Sequence, residues 1–299
     1  MDINKFLLIN DIALTNNLTL TASRMGYSQS GVSHAINKIE EETGINFFKR
    51  TNRGVELTNA GNQLLPYIQM IVKYYNVLND SIDSLNGLHS GSLCIGTYPS
   101  IASQWLPKMI QKYKDKYPNI SVSIREGRMI EVEKWIMDGS VDFGFLSWRV
   151  NQAFKFITMS RDPLYVIASK DFKLPPAYLG VFPASIIEDY SFISSESGMD
   201  RDDVSAFIQK QKIKISGNLT CRDDYTILRM VEQDIGIAIL PDLIIKSHEN
   251  TVQKFPIYPS SFRTLGLGLL SERNLSIASK EFIKIAKKVV KDITPINVL

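Results

Sequence analysis

Cysteine and histidine are scarce in this 299-residue chain, and each scarcity excludes something. Cys94 and Cys221 stand far apart and set up neither a disulfide framework nor a metal spacing. They read as two buried thiols in a reducing compartment, with a redox switch as the alternative. The three histidines, His34, His89 and His248, lie beside no cysteine and no spaced carboxylate pair. No G-x-S-x-G turn or metal-binding spacing occurs either. The chain is therefore expected not to be an enzyme and to need no cofactor or metal. No apolar run approaches the ~20 residues that cross a bilayer. The start, MDINKFLLINDIAL, is interrupted by Asn4, Lys5, Asn10 and Asp11, so it lacks the apolar core of an export signal. The expectation is a cytoplasmic protein with no membrane partner. Charge excess is lacking too: the formal net charge is +3. Residues 1–58 carry six basic and six acidic side chains, so any basic surface there must be local.

What is present is ordinary globular material, 44% hydrophobic and 22% charged, in a length that suggests two folding units. Ile3, Phe6, Leu7 and Ile12 to Leu14 give one helical apolar face. A shorter helix follows from Leu18 through Ala22 and Met25 to Gly26. Gly26-Tyr27-Ser28 reads as a tight connection, with Ser28 as N-cap of a helix that stops near Gly44. In that helix Val32, Ala35, Ile36 and Ile39 form a narrow apolar stripe. Its other faces carry Gln29, Ser30, Ser33, His34, Asn37 and Lys38, which are mostly short and rich in hydrogen-bonding groups. Two short helices joined around a glycine form a helix-turn-helix. INFFKRTNRGVELT then reads as a hairpin turning at residues 51–54, with Lys49, Arg50 and Arg53 at its tip.

Thr58 can cap a long helix in which Leu64, Ile68, Ile71, Tyr75, Leu78, Ile82 and Leu85 alternate at spacings of four and three. That alternation favours a coiled-coil dimer seam, the alternative being an intramolecular packing helix. The seam ends at Asn86-Gly87, and HSGS marks a boundary. Beyond it the pattern is GSLCIGT as a strand, residues 100–117 as one helix, ISVSIREG as a strand, MIEVEKWIMDG as a helix and VDFGFLS as a strand. This is βαβαβ, which implies a parallel sheet. Residues 164–169, 191–194, 213–219 and 236–240 read as further strands, with helices near 200–212 and 223–234. RTLGLGLL and a helix over 276–291 close the chain. Two α/β lobes imply a cleft between them.

These segments resemble a LysR-type transcriptional regulator along the whole chain. The carrying residues are Phe6, Leu18-Thr19 to Ala22, Met25, Ser28-Gln29, Val32-Ser33, Ile36, Ile39-Glu40, Gly44, Phe48, Arg50, Leu57-Thr58 and Ala60-Gly61. Further on come GSLCIGT, Leu106-Pro107, Tyr117-Pro118, Arg125-Glu126-Gly127, Gly139 to Asp142 and GIAILPDLI. Thr21 departs from the small alanine usual in the family, and Gly31 from a second one. The resemblance implies an α/β protein with an all-α-rich N-terminal domain: a winged helix-turn-helix, a long linker helix, then a two-lobed periplasmic-binding-protein-like effector domain. The expected boundaries are 1–58, 59–88 and 89–299, with lobe I about 89–160 and 266–299 and lobe II about 161–265. It implies a sequence-specific DNA-binding regulator, a homodimer or homotetramer, switched by a small molecule. Contact with RNA polymerase is left open. A regulator with a non-sensing effector domain, or a solute-binding protein, are the alternatives; the latter would not need residues 1–88.

The expected contacts with double-stranded DNA are Thr19, Ser28, Gln29, Ser30, Ser33, His34, Asn37, Lys38, Lys49, Arg50 and Arg53. Short polar side chains suit base edges in the major groove, while Lys38 and Arg50 suit phosphates. Gly31 either admits a phosphate to the backbone or avoids a clash. The turn Thr97-Tyr98-Pro99-Ser100-Ile101 joins a strand end to a helix start, which is a ready anion site. Ser100 reads as its N-cap, a role that could serve the helix alone. By resemblance this turn, Ser147-Trp148 and Ser194-Ser195-Glu196-Ser197 line the effector pocket. Arg128 adds a cation to the rim or is a solvated surface residue. A small anionic effector is expected, covered by Trp148 or Tyr98.

Overall fold

The computed structural model describes residues 1–51, 54–85, 91–150, 152–195, 203–215, 219–272 and 275–293. Helix α1 (Ile3–Thr15) is capped by Asp2, whose carboxylate accepts from the Lys5 N–H. Asn17 caps α2 (Leu18–Met25) by accepting from the Thr19 and Leu20 N–H groups. Ser28 caps α3 (Gln29–Thr43) by accepting from the Gly31 N–H at 3.0 Å. Gly26 and Gly44 end α2 and α3 at φ +73° and +69°, in the left-handed region where glycine has no side chain to strain. Ile9, Ile12, Ala22, Val32, Ile36 and Ile39 meet Phe47 and Val55 in one apolar core. The apolar stripe expected of α3 thus faces inward. Thr21 is fully buried in that core, and its hydroxyl is satisfied by that of Thr15 at 2.8 Å.

The hairpin is β1 (Phe48–Thr51) antiparallel to β2 (Gly54–Leu57). Glu40 fastens it to α3: its Oε1 accepts from the Phe47 and Phe48 N–H groups at 2.6 and 3.0 Å. Thr58 caps α4 (Asn59–Leu85) by accepting from the Gly61 N–H, and its hydroxyl donates to the Asn46 carbonyl. Lys73 on α4 reaches the second body, its Nζ donating to the Val141 carbonyl at 2.8 Å.

That body starts with β3 (Gly91–Thr97), β4 (Ile120–Glu126) and β5 (Phe143–Ser147), parallel in the order β4-β3-β5 as expected of βαβαβ. The helix expected over 100–117 is two: α5 (Pro99–Gln104) and α6 (Leu106–Lys116). Trp105 separates them, buried edge-on against Phe145, and Pro107 sits in the first turn of α6, where its missing N–H costs nothing. Helix α7 (Met129–Met137) crosses back from β4 to β5.

β6 (Lys155–Ser169) then leaves the first lobe and enters the second. Its first half pairs with β12 (Phe262–Leu269), and its second half pairs with β10 (Ala238–Pro241) and β11 (Val252–Tyr258). The strand expected over 164–169 is thus only its second half, since β6 already begins at Lys155. β7 (Phe182–Pro183) lies parallel to β11. β8 (Ile193–Ser195) and β9 (Leu219–Cys221) form a separate parallel pair. The strand expected over 213–219 is therefore displaced. Residues 213–215 are irregular because Ile213 turns into the core below α8 (Asp203–Gln211). α9 (Asp224–Glu232), α10 (Asp242–Ile245) and α11 (Ile277–Ile293) complete the chain. Lobe I has one apolar core around Trp105, Phe143, Phe145 and Phe282, and lobe II has two, around Val166, Phe182, Phe192 and Ile239 and around Ile167, Leu228, Leu240 and Ile245. The body is two-lobed.

Gly61 sets how closely α4 lies on the hairpin, since a Cβ there would stand 2.3 Å from the Phe47 carbonyl oxygen. Gly61→Ala is expected to push α4 away and cost about 1–3 kcal/mol, the usual range for overpacking. Urea unfolding followed by circular dichroism measures this; an unchanged midpoint would show that the contact yields freely.

Candidate functional site

The expected DNA-contacting side chains that the structure describes are nearly all exposed. Thr19, Ser28, Gln29, Ser30, His34, Asn37, Lys38, Lys49 and Arg50 are exposed, and Ser33 is half-buried. Arg53 lies outside the described residues. The surface is built by the caps: Ser28 starts α3 so that Gln29, Ser33 and Asn37 point away from the Val32–Ile36–Ile39 core. Gly31 is explained by the same cap, because a Cβ at 31 would press on the Ser28 hydroxyl at 3.1 Å. Lys49 is paired with Glu56 at 3.2 Å across the hairpin, an exposed pair worth little energetically.

Arg50 makes a contact that the sequence reading did not include. Its Nη2 donates to Ser33 Oγ at 2.7 Å, so the guanidinium leans over α3 instead of standing apart on the wing. Sequence spacing could not show this, because the two residues are brought together by Glu40 clamping the hairpin.

On α4 the expected seam divides. Ile68 is buried and Leu64 partly buried against the N-terminal core, so neither belongs to an outward stripe; the helix begins by packing on α1. Tyr75 is half-buried. Ile71, Leu78 and Ile82 are 39%, 56% and 46% exposed, and Tyr67 and Tyr74, which the heptad count missed, are 65% and 45% exposed. The Leu85 side chain lies outside the described residues.

Between the lobes is a cavity of about 810 Å³. Tyr98, Pro99, Ser100, Arg128, Ser194 and Ser195 line it, as expected. Four expected residues do not. Thr97 is sealed beneath the turn, its hydroxyl donating to the Tyr98 carbonyl, and Ile101 is in the lobe I core. Ser147 is buried and donates to Asp203 Oδ2 at 2.9 Å. The Trp148 side chain is half-exposed, and its backbone N–H donates to the Thr264 carbonyl. Glu196 and Ser197 lie outside the described residues. Hydrogen bonds join the lobes beside the cavity at Ser147–Asp203 and at Ser103 Oγ–Tyr225 Oη, the latter at 3.0 Å.

The anion-binding turn does not form as expected. The N-cap of α5 is Tyr98, with no side-chain capping bond, and Ser100 sits one residue inside the helix. The Ser100 hydroxyl accepts from Arg263 Nη2 at 3.0 Å. Arg128 is likewise engaged, with Glu131 at 3.4 Å. The strong electrostatic feature is instead Arg263, buried, whose Nε and Nη2 meet Asp162 Oδ2 at 2.8 and 2.7 Å. Asp162 Oδ1 accepts from the Leu243 N–H. Burial opposes the charge on Arg263, but Tyr98, Asp162 and Asp203 more than offset it and hold its proton firmly. Burial, reinforced by Asp203 and Asp162, pushes the Tyr98 hydroxyl upward. Sequence reading missed Arg263; the available signal was an arginine at the head of the apolar run LGLGLL.

A helix-turn-helix joined by a long helix to a two-lobed ligand-binding body defines a class: a regulator that carries its own sensor. The family "Bacterial regulatory helix-turn-helix protein, lysR family" matches residues 3–62, and "LysR substrate binding domain" matches residues 86–291. The chain belongs to the LysR family of transcriptional regulators. It is 26% identical to the "Uncharacterized HTH-type transcriptional regulator YvbU" of Bacillus subtilis over 97% of this chain and 99% of that protein. A full-length OxyR variant from Pseudomonas aeruginosa has the same fold, with TM-score 0.77, 19% identity and coverage of 97% and 94% of the two chains. The CcmR regulatory domain of Synechocystis PCC6803, in complex with 2-PG, matches with TM-score 0.62 and 20% identity, over 69% of this chain and all of that one.

Among the described residues no helix is long and apolar enough to cross a membrane, and no group of side chains could hold a metal ion.

If Arg50 and Ser33 act on DNA as one unit, the Arg50→Ala and Ser33→Ala losses of DNA affinity will overlap, with a coupling of about 0.5–3 kcal/mol in a double-mutant cycle. Strict additivity in mobility shifts would mean separate contacts. Asp162→Ala should strand the buried Arg263 charge and cost about 3–5 kcal/mol of stability, and a further Arg263→Met should recover much of it. Equal unfolding midpoints for the single and double variants would show that the charge is not stranded.

Proposed function

We propose that this chain is a dimeric, cytoplasmic transcriptional regulator in which units 1–58, 59–88 and 89–299 respectively read DNA, hold the dimer and sense a small molecule. It performs no chemistry on its ligand. Helix α3 enters the major groove. Ser30, Ser33, His34 and Asn37 address base edges there, and Lys38, Lys49 and Arg53 neutralise phosphates. The observation that carries this reading is the outward face of α3, which is polar and short-chained and has an arginine from the hairpin laid across it.

The dimer is supported by the exposed row Tyr67, Ile71, Tyr74, Leu78 and Ile82, a continuous apolar stripe on one helix that soluble monomers rarely leave wet. Its spacings of four and three suit a helix-on-helix seam with a second copy. The cavity supports sensing, since its size falls within the ~300–1,000 Å³ of ligand sites. The small-molecule complex of the CcmR regulatory domain points the same way.

Ile71→Asp is expected to place like charges in the seam, convert the dimer to monomer in sedimentation velocity and lower operator affinity by at least tenfold, because each half-site then binds alone. A variant that remains dimeric would mean that the copies join elsewhere. In parallel, log affinity should fall steeply with log salt, and Lys38→Ala should flatten that slope by about one unit for a single lost phosphate contact.

A further inference from the structure

The cavity's walls differ, and the difference carries chemical information. On the lobe II side it is lined by Val204, Ile208, Ile215, Ile227, Ile239 and Ile244. Ile227, Ile239 and Ile244 are buried, but Val204, Ile208 and Ile215 are only half-buried, with branched aliphatic surface turned to the open space. Apolar surface left in water is unfavourable in proportion to its area, so a ligand that covers it gains that free energy on binding.

The charges point away from a compact polyanion. Glu126, Glu131, Asp203, Asp223 and Asp224 line the cavity with Arg128, Arg149, Arg222 and Arg263, and Asp162 stands behind Arg263. Arg128 lies on Glu131, and Arg149 faces Glu133 at 4.0 Å. Among the described lining residues the acids outnumber the arginines, which gives no net positive field to hold two or three negative charges. One small acceptor-seeking spot remains. Asp162 and Ser100 occupy Nε and Nη2 of Arg263, which leaves its Nη1 edge. The guanidinium lies over the Tyr98 ring at 5.3 Å, and the buried Tyr98 hydroxyl has no hydrogen-bond partner. An unpartnered buried donor costs free energy that a ligand oxygen would recover.

We infer that the effector is an amphipathic monocarboxylate, with its apolar body along Val204, Ile208 and Ile215 and its single carboxylate received by Arg263 and Tyr98. This rests on reading the cavity as the effector site. It keeps Tyr98 from the turn at residues 97–101 but takes its cation from Arg263 on β12. It also makes hydrophobic contact the larger part of affinity.

Titration calorimetry on the full-length protein tests it with butanoate, hexanoate, octanoate and decanoate, the matching primary alcohols, citrate and shikimate. Affinity should rise roughly fourfold per added methylene until the wall is covered. Each acid should bind at least tenfold more tightly than its alcohol, as a charge-assisted hydrogen bond requires. Ile208→Asn, with its fold checked by thermal unfolding, should flatten the chain-length series. A flat series in the wild-type protein, citrate or shikimate binding more tightly than decanoate, equal affinity of acids and alcohols, or no carboxylate binding at millimolar concentration would each overturn the inference. A mobility shift on the same samples separates it from the regulator reading. Intact operator binding without a carboxylate response sinks only the effector class, whereas absent operator binding sinks the regulator reading itself.

Discussion

The sensing half of this molecule depends on one buried ion pair. Arg263 on β12 and Asp162 on β6 meet where the two long strands pass from one lobe to the other. Neither charge can be left alone at that depth, so the pair fixes the register of the strands at the crossover. It also takes up the Ser100 hydroxyl and the Leu243 N–H, binding the start of α5 and of α10 to the same point. The cavity opens beside this knot, with Arg263 in its lining. Its lobe II wall is carried instead by the separate pair β8–β9 and by helices α8 and α9. A ligand lying across both touches parts that Ser103–Tyr225 and Ser147–Asp203 tie together.

The DNA-facing half is organised by backbone donors that need acceptors. Asp2, Asn17, Ser28 and Thr58 each begin a helix by accepting N–H groups that the helix itself cannot satisfy. Glu40 does the same for the hairpin, and so joins α3 to the wing. That clamp brings Arg50 onto Ser33. The outward face of α3 and the hairpin are consequently joined by a direct hydrogen bond.

Helix α4 shows how one apolar periodicity can serve two surfaces. Its first turns bury Ile68 and Val72 and half-bury Leu64, where α4 packs on α1. Further along, Ile71, Leu78 and Ile82 turn outward and are joined by Tyr67 and Tyr74. Lys73 sits between these faces and anchors the helix to the Val141 carbonyl of the sensing body. The same helix thus touches the DNA-facing core, the sensing body and solvent, a suitable position from which to pass a change in one to the others.

By itself the sequence determined the local elements whose rules are short-range. Ser28 and Gly44 marked the ends of α3, Val32, Ile36 and Ile39 marked its inner face, and the βαβαβ order marked a parallel sheet. Short-range rules failed where distant residues decide. Residues 164–169 read as one strand, yet β6 starts at Lys155, where its pairing with the distant β12 extends it. Ser100 reads as a cap and an anion ligand, yet its hydroxyl is claimed by an arginine from β12. Leu64 and Ile68 read as one seam with Ile71, yet α1 covers the first two and not the third. Which apolar face meets which neighbour, and which charge is paired with which, is set by packing among elements far apart in the chain. The short-range rules of the sequence carry no information about such distant partners.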